Sequence, residues 1–196
     1  MKQIFFATIN KGKVNSIASV LSKFNIEVVQ KPLEIPEIRN ENLKAIAIHK
    51  VLYAFENIKK PAIALDAGFY VHSINGFPKM YVNFALKTIG LNGILKLVEN
   101  IDRSCEFRNC LAFLDGILKE PVVFEESVKG RLADKPKGKK QDYFWSDLFF
   151  VFVPEGKDKT LAEMTPEEYY KWQEKLYVNS YLTKFAKWFS NYENYK

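Results

Sequence analysis

The chain has 196 residues, 47% of them hydrophobic and 15% aromatic, which is enough to bury a substantial core and excludes a disordered chain. A formal net charge of +6 and an isoelectric point near 9.1 favour polyanionic ligands, although lysines scattered along a chain give the same total without a binding patch. Cys105 and Cys110 lie in a segment with strand character at a spacing that points them to opposite faces, so no disulfide and no metal-ligand pattern is expected.

The opening MKQIFFATIN is too short an apolar run for a signal peptide or a membrane span, and a reducing cytoplasm is the simplest location. Gln3 to Thr8 reads as a strand, followed by a polar turn and a helix over 11–23 with Val14, Ile17, Ala18 and Leu21 in helical spacing. A second strand, 26–30, leads through Pro32 and Pro36 to a long helix over 42–58, buried along Ile46, Val51 and Ala54 and stopped by Pro61. Ala62 to Asp66 predicts a short buried strand with an acidic residue at its carboxyl end, the edge at which α/β sheets bind ligands. A separate strand is predicted over 69–74, closed by an Asn75-Gly76 turn, and one or two helices over 81–100, broken near Gly90.

Strands follow at 104–114 and 122–132, joined by Asp115-Gly116. The segment DKPKGKK, 134–140, reads as a flexible basic loop, and 148–153 as a further apolar strand. Thr165-Pro166-Glu167-Glu168 supplies an N-cap, a first-turn proline and an acidic first turn to an amphipathic helix continuing towards Phe189. No repeat or linker divides the chain, so one α/β domain over 1–196 is expected.

Thr8, Asn10, Lys11, Gly12 and Lys13 place a hydroxyl, an amide and two ammonium groups at a strand-to-helix junction, where free backbone N–H groups and the helix dipole favour a phosphate. An ordinary Asn turn with solvated lysines has the same spacing. Glu37 and Asp66 are the two carboxylates placed to hold Mg²⁺ and orient water, provided that they converge in space. His49 and His72 are isolated and take no assigned role.

The order of these features resembles the inosine-triphosphate pyrophosphatase family, which acts on non-standard purine nucleoside triphosphates. The resemblance rests on Thr8-x-Asn10-x-x-Lys13, Pro36-Glu37, Asp66-Ala67-Gly68, Asn75-Gly76-Phe77-Pro78 and the stretch Pro154-Glu155-Gly156 to Lys159-Thr160-Leu161-Ala162-Glu163-Met164, and it spans nearly the whole chain. It implies a mixed, elongated central β-sheet flanked by helices, forming two lobes with a ligand cleft between them. Thr8, Asn10, Lys13 and Lys50 would hold the triphosphate, and Glu37 and Asp66 would bind Mg²⁺. Asp66 would be the catalytic residue, directing water at the bond between the α and β phosphates to release a monophosphate and pyrophosphate. The resemblance also implies a homodimer. Neither a membrane nor a nucleic acid is expected as a partner, with the loop around Lys135–Lys140 the place where RNA or DNA would be recruited.

The chain departs from the family pattern at Ile9, where glycine is usual, and at Ser16 and Leu65, where acidic residues are usual. Asn83 replaces a frequent lysine. Tyr143-Phe144-Trp145-Ser146-Asp147 stands loosely for a Phe-Gly-Tyr/Trp-Asp-Pro stretch, with Trp145 the candidate to stack on a base and one or two of the three aromatics expected to be structural. The family's Ser-His-Arg signature is absent, and Gln173-Glu174-Lys175 or Ser180-Tyr181-Leu182 occupy that region. A nucleotide-binding protein of the same fold without hydrolytic activity is therefore the alternative.

Overall fold

The computed structural model describes residues 2–36 and 38–194. Its strands are β1 (Lys2–Ala7), β2 (Ile26–Lys31), β3 (Ala62–Val71), β4 (Pro78–Lys79), β5 (Ser104–Leu114), β6 (Val122–Leu132) and β7 (Phe152–Pro154). Its helices are α1 (Lys11–Leu21), α2 (Leu43–Ile58), α3 (Val82–Thr88), α4 (Gly90–Leu97), α5 (Pro166–Tyr177) and α6 (Tyr181–Asn194). The seven strands form one mixed sheet in the order β2-β1-β3-β5-β6-β7, with β4 pairing β3, so the expected mixed α/β class holds. β1 runs parallel to both β2 and β3, whereas β3–β4 and β6–β7 are antiparallel.

The chain divides into two compact units, Met1–Asp66 with Asn109–Glu126 and Leu176–Lys196, and Ala67–Arg108 with Ser127–Lys175. In the first, period-2 alternation sorts the side chains onto two faces. Ile4, Phe6, Ile63, Leu111 and Phe113 pack with Ile17 and Leu21 of α1 and with Phe185 and Phe189 of α6. Ala64, Cys110, Ala112 and Leu114 face Leu43, Ala47 and Val51 of α2. The small residues on this second face let α2 lie close to the sheet, and Asn42 starts that helix by accepting from the N–H groups of Lys44 and Ala45. In the second unit the core is a ring cluster, with Phe107 4.8 Å from both Phe69 and Phe152.

Several expectations are corrected. The run 62–66 and the run 69–74 are not separate strands: β3 continues from Ala62 to Val71, and a 3₁₀ turn covers His72–Ile74. Gly68 is not a break but a close approach, because a Cβ there would lie 2.9 Å from the carbonyl oxygen of Lys79 on β4. Residues 148–153 do not form one strand. Ser146 Oγ accepts from the N–H of Leu148 and starts a 3₁₀ turn over Asp147–Phe150, after which β7 begins.

The carboxyl-terminal helix is two helices, because Ser180 receives the N–H of Thr183 on its side chain and that of Lys184 on its carbonyl, starting α6 anew. The basic segment 134–140 is tied by its backbone, Lys137 N–H to Phe150 and Lys139 N–H to Ala162, so its composition did not report these anchors. Cys105 and Cys110 are both buried and unpaired, as expected.

Candidate functional site

β1 ends at Ala7 and α1 starts at Lys11, so Thr8, Ile9 and Asn10 must turn the chain between them. Thr8 Oγ1 accepts from the N–H of Asn10 at 3.1 Å, and Asn10 Oδ1 accepts from that of Lys13 at 3.1 Å. The Asn10 carbonyl then takes the N–H of Val14. Two first-turn donors, the N–H groups of Lys11 and Gly12, have no acceptor among the described residues. Gln30 pins the turn from β2 through its Nε2, which donates to the Thr8 carbonyl at 2.9 Å. Thr8 and Asn10 thus shape the turn, and the donors they leave open are backbone groups at the positive end of an eleven-residue helix.

Asp66 stands two residues beyond Ala64 on β3, which puts it on the face that α2 covers. Lys50 of α2 reaches it, Nζ to Oδ1, at 2.5 Å, with side-chain exposures of 16% for Lys50 and 10% for Asp66. Phe6 of β1 faces Ile63 of β3 in parallel register, so counting on along both chains brings Asp66 level with Ile9 in the turn. Asp66 is not at a strand end, as the sequence suggested, since β3 runs on to Val71; what ends there is β1 beside it. The Oδ2 oxygen of Asp66 has no protein partner among the described residues. The pair therefore offers a fixed cation and one open carboxylate oxygen.

Glu37 lies outside the described residues. Among the described residues no cluster of three or more His, Cys, Asp and Glu side chains forms a metal cage. A Mg²⁺ ion does not require one, because it binds through one or two carboxylates together with phosphate oxygens and water. The open oxygen of Asp66 suits that donor set.

Trp145 belongs to the second unit, where it packs edge-on against Phe107 at 5.4 Å and Phe149 at 5.3 Å. Tyr143 stacks on Tyr169 at 4.2 Å, and Phe144 packs between Phe149 and Phe150. Each of the three is half-buried and touches that ring cluster from an irregular segment. At the start of α6, Ser180, Tyr181 and Leu182 are buried, at 0%, 7% and 1% exposure, so Tyr181 and Leu182 serve packing. Residue type singles out Lys13 and Asn10, whereas the hydrogen bonds of the folded turn leave the N–H groups of Lys11 and Gly12 as the open donors among the described residues.

The family model described as "Ham1 family" matches residues 4–176. A protein of Methanopyrus kandleri named dITP/XTP pyrophosphatase is 34% identical over 190 residues, covering 96% of this chain and 97% of that protein. One of the same name from Pyrococcus horikoshii is 38% identical over 168 residues, covering 85% and 87%. Among solved structures, the Ham1 protein of Staphylococcus aureus superposes with a TM-score of 0.76 at 21% identity, covering 97% of this chain and 99% of that one, which supports the fold. The dITP/XTP pyrophosphatase of Mycobacterium abscessus superposes with a TM-score of 0.68 at 25% identity, covering 88% and 94%. With the strand-borne Asp66, its Lys50 partner and the turn after β1 in place, these likenesses over most of the sequence place the chain in the Ham1 family.

Proposed function

We propose that the chain is a Mg²⁺-dependent nucleoside triphosphate pyrophosphatase acting on dITP- and XTP-like nucleotides, its two units working as one catalytic domain. The observation that carries this reading is the Lys50–Asp66 pair, 2.5 Å apart and nearly buried, at the register level of a turn with two open N–H donors. Relatives of nearly equal length carry the name dITP/XTP pyrophosphatase, which supports the substrate class.

In this reading the N–H groups of Lys11 and Gly12, with Lys13, hold phosphate oxygens at the amino end of α1. Lys50 neutralises charge on the phosphate chain while fixing the carboxylate of Asp66. Asp66 Oδ2 orients a water and accepts its proton as the water oxygen bonds to the α-phosphorus. The α-phosphorus bond to the bridging oxygen breaks, and pyrophosphate leaves with that oxygen. Asp66 with Glu37 would hold Mg²⁺, which would supply charge neutralisation at the phosphate oxygens. Trp145 is the proposed platform for the base, and Thr8 and Asn10 act by shaping the turn.

Pyrophosphate release from a panel of NTPs and dNTPs, with and without EDTA, tests the proposal. Turnover of dITP and XTP above the standard nucleotides, lost with EDTA, is the expected result. Equal traces for the native protein and Asp66→Asn on every nucleotide reject it.

A second reading, binding without hydrolysis, rests on the absent Ser-His-Arg signature and on Leu65 where an acidic residue is usual. It predicts a raised melting temperature with dITP and no product. Homodimerisation and a cytoplasmic location belong to the same proposal; light scattering on the purified protein tests the first. Among the described residues no helix is long and apolar enough to cross a membrane.

A further inference from the structure

The second unit contains a hollow of about 300 Å³ that the proposed reaction does not use. Lys129 and Arg131 alternate with Gly130 on β6, so both project from one face, and neither side chain has an ion pair or hydrogen bond among the described residues. Gly130 leaves room for tight pairing with β7, since a Cβ there would lie 2.4 Å from the Val153 carbonyl oxygen. The chain then turns beside these cations. Glu155 N–H donates to the Lys129 carbonyl and Lys157 N–H to the Pro154 carbonyl, both at 3.0 Å, which sets Lys157 on the wall of the same hollow. The N–H of Gly156, at φ +71°, is left without an acceptor among the described residues.

His72 and Ser104, which also line the hollow, are fixed by a hydrogen-bond chain. Ser104 Oγ donates to Asp102, so the 3.0 Å contact between His72 Nδ1 and Ser104 Oγ uses the nitrogen as donor. The other nitrogen, Nε2, faces Glu106 at 3.5 Å. The imidazole and the Ser104 hydroxyl are thereby held in place at the rim. One carboxylate, Glu155, also lines the hollow and opposes an anion.

We propose that this hollow is a second anion site, for a condensed inorganic phosphate such as pyrophosphate. Three cations and one open N–H suit several negative charges close together, and the volume lies at the lower end of small-molecule pockets. Only the choice of pyrophosphate rests on the proposed reaction, which would release it; the site is built from other residues and stands without that reaction.

The test is calorimetric titration of inorganic pyrophosphate into the native protein, into Lys50→Gln, into the double variant Lys129→Gln/Arg131→Gln and into Glu155→Gln. The expected result is a saturable event that persists in Lys50→Gln and weakens at least about tenfold in the double variant, as loss of charge-assisted hydrogen bonds requires. Glu155→Gln should tighten the same event roughly threefold, because it removes a like charge. An event of equal strength in the double variant, or no event beyond the one that Lys50→Gln abolishes, overturns the proposal. So does a surface that binds a single-stranded oligonucleotide and ignores pyrophosphate. Absence of nucleotide turnover together with Lys129/Arg131-dependent binding rejects the catalytic reading and leaves this one standing.

Discussion

Two strand-borne carboxylates have the same burial and different partners: one lysine for Asp66, and an arginine with a histidine for Glu106. Asp66 in the first unit is 7% exposed, and Glu106 in the second is 6% exposed. Asp66 meets one cation on one oxygen and keeps the other open. Glu106 receives both Nε and an Nη of Arg108 at 2.8 and 2.6 Å and faces His72. Burial pushes the proton affinity of Glu106 up, but hydrogen bonds from Arg108 and Ser127, the Arg108 charge and His72 outweigh it and hold the carboxyl below its ordinary range. Burial alone therefore does not mark a reacting group. A carboxylate crowded by a guanidinium and an imidazole, with the Ser127 hydroxyl bonded as well, is structural, and one held by a single lysine can bind a metal or take a proton.

The largest contrast is expected from isosteric amides. Asp66→Asn should lower kcat/KM about 10³-fold or more, roughly 4 kcal/mol of transition-state stabilisation, with little change in melting temperature. Glu106→Gln should leave kcat/KM within a factor of two, a near-neutral effect for a residue outside the chemistry, and cost about 1–3 kcal/mol of stability. If both variants lose activity equally, the distinction fails.

Next in size is Lys50→Met, which should lower kcat about 10²-fold because it removes a preorganised charge. Arg108→Met, its counterpart beside Glu106, should register in thermal melts instead. A kcat unchanged in Lys50→Met would show that the cation only holds the strand carboxylate in place.

The smallest effect sharpens the comparison with a third strand carboxylate. Burial raises Glu126 to about 7, against the opposing influence of the Lys184 charge and the Tyr181 N–H at the start of α6. A folded value above the unfolded one means that its stabilising contribution is complete below the ordinary glutamic range and is lost as pH rises through about 7. Glu126→Gln should remove that decline, on the order of 1 kcal/mol between pH 5 and 8 after solvent screening. Glu106 has the opposite sign, since its lowered value gives stability above the ordinary range that is lost as pH falls. Melts across pH on both glutamine variants check the two signs, and parallel curves would refute the assignment.

Local chemistry decided much of this protein in advance. Apolar periodicity set α1 and α2 to within a few residues, and the eleven-residue strands β5 and β6 were legible as two runs joined at Asp115-Gly116. The candidate groups Lys13, Lys50 and Asp66 were legible because their residue types and order match a family pattern. The separation of 62–66 from 69–74 misled, since a glycine between two apolar runs looks the same whether it serves a turn or, as Gly68 does, a close approach to Lys79 across the strand. The run 148–153 misled for a related reason: unbroken apolar residues do not tell a strand from a 3₁₀ turn followed by a short strand, and only the hydrogen bond from Leu148 N–H to Ser146 and the pairing of β7 with β6 settle it.

Which carboxylate oxygen stays open, which N–H lacks an acceptor and which cations lack a counter-ion depend on neighbours far apart in the chain. Asp66 is paired by a lysine sixteen residues earlier, and Glu106 faces a histidine on another element. One-dimensional pattern fixes where helices and strands begin because capping and periodicity are short-range. Availability for chemistry is what remains after distant partners have taken their share, and the folded chain alone decides it.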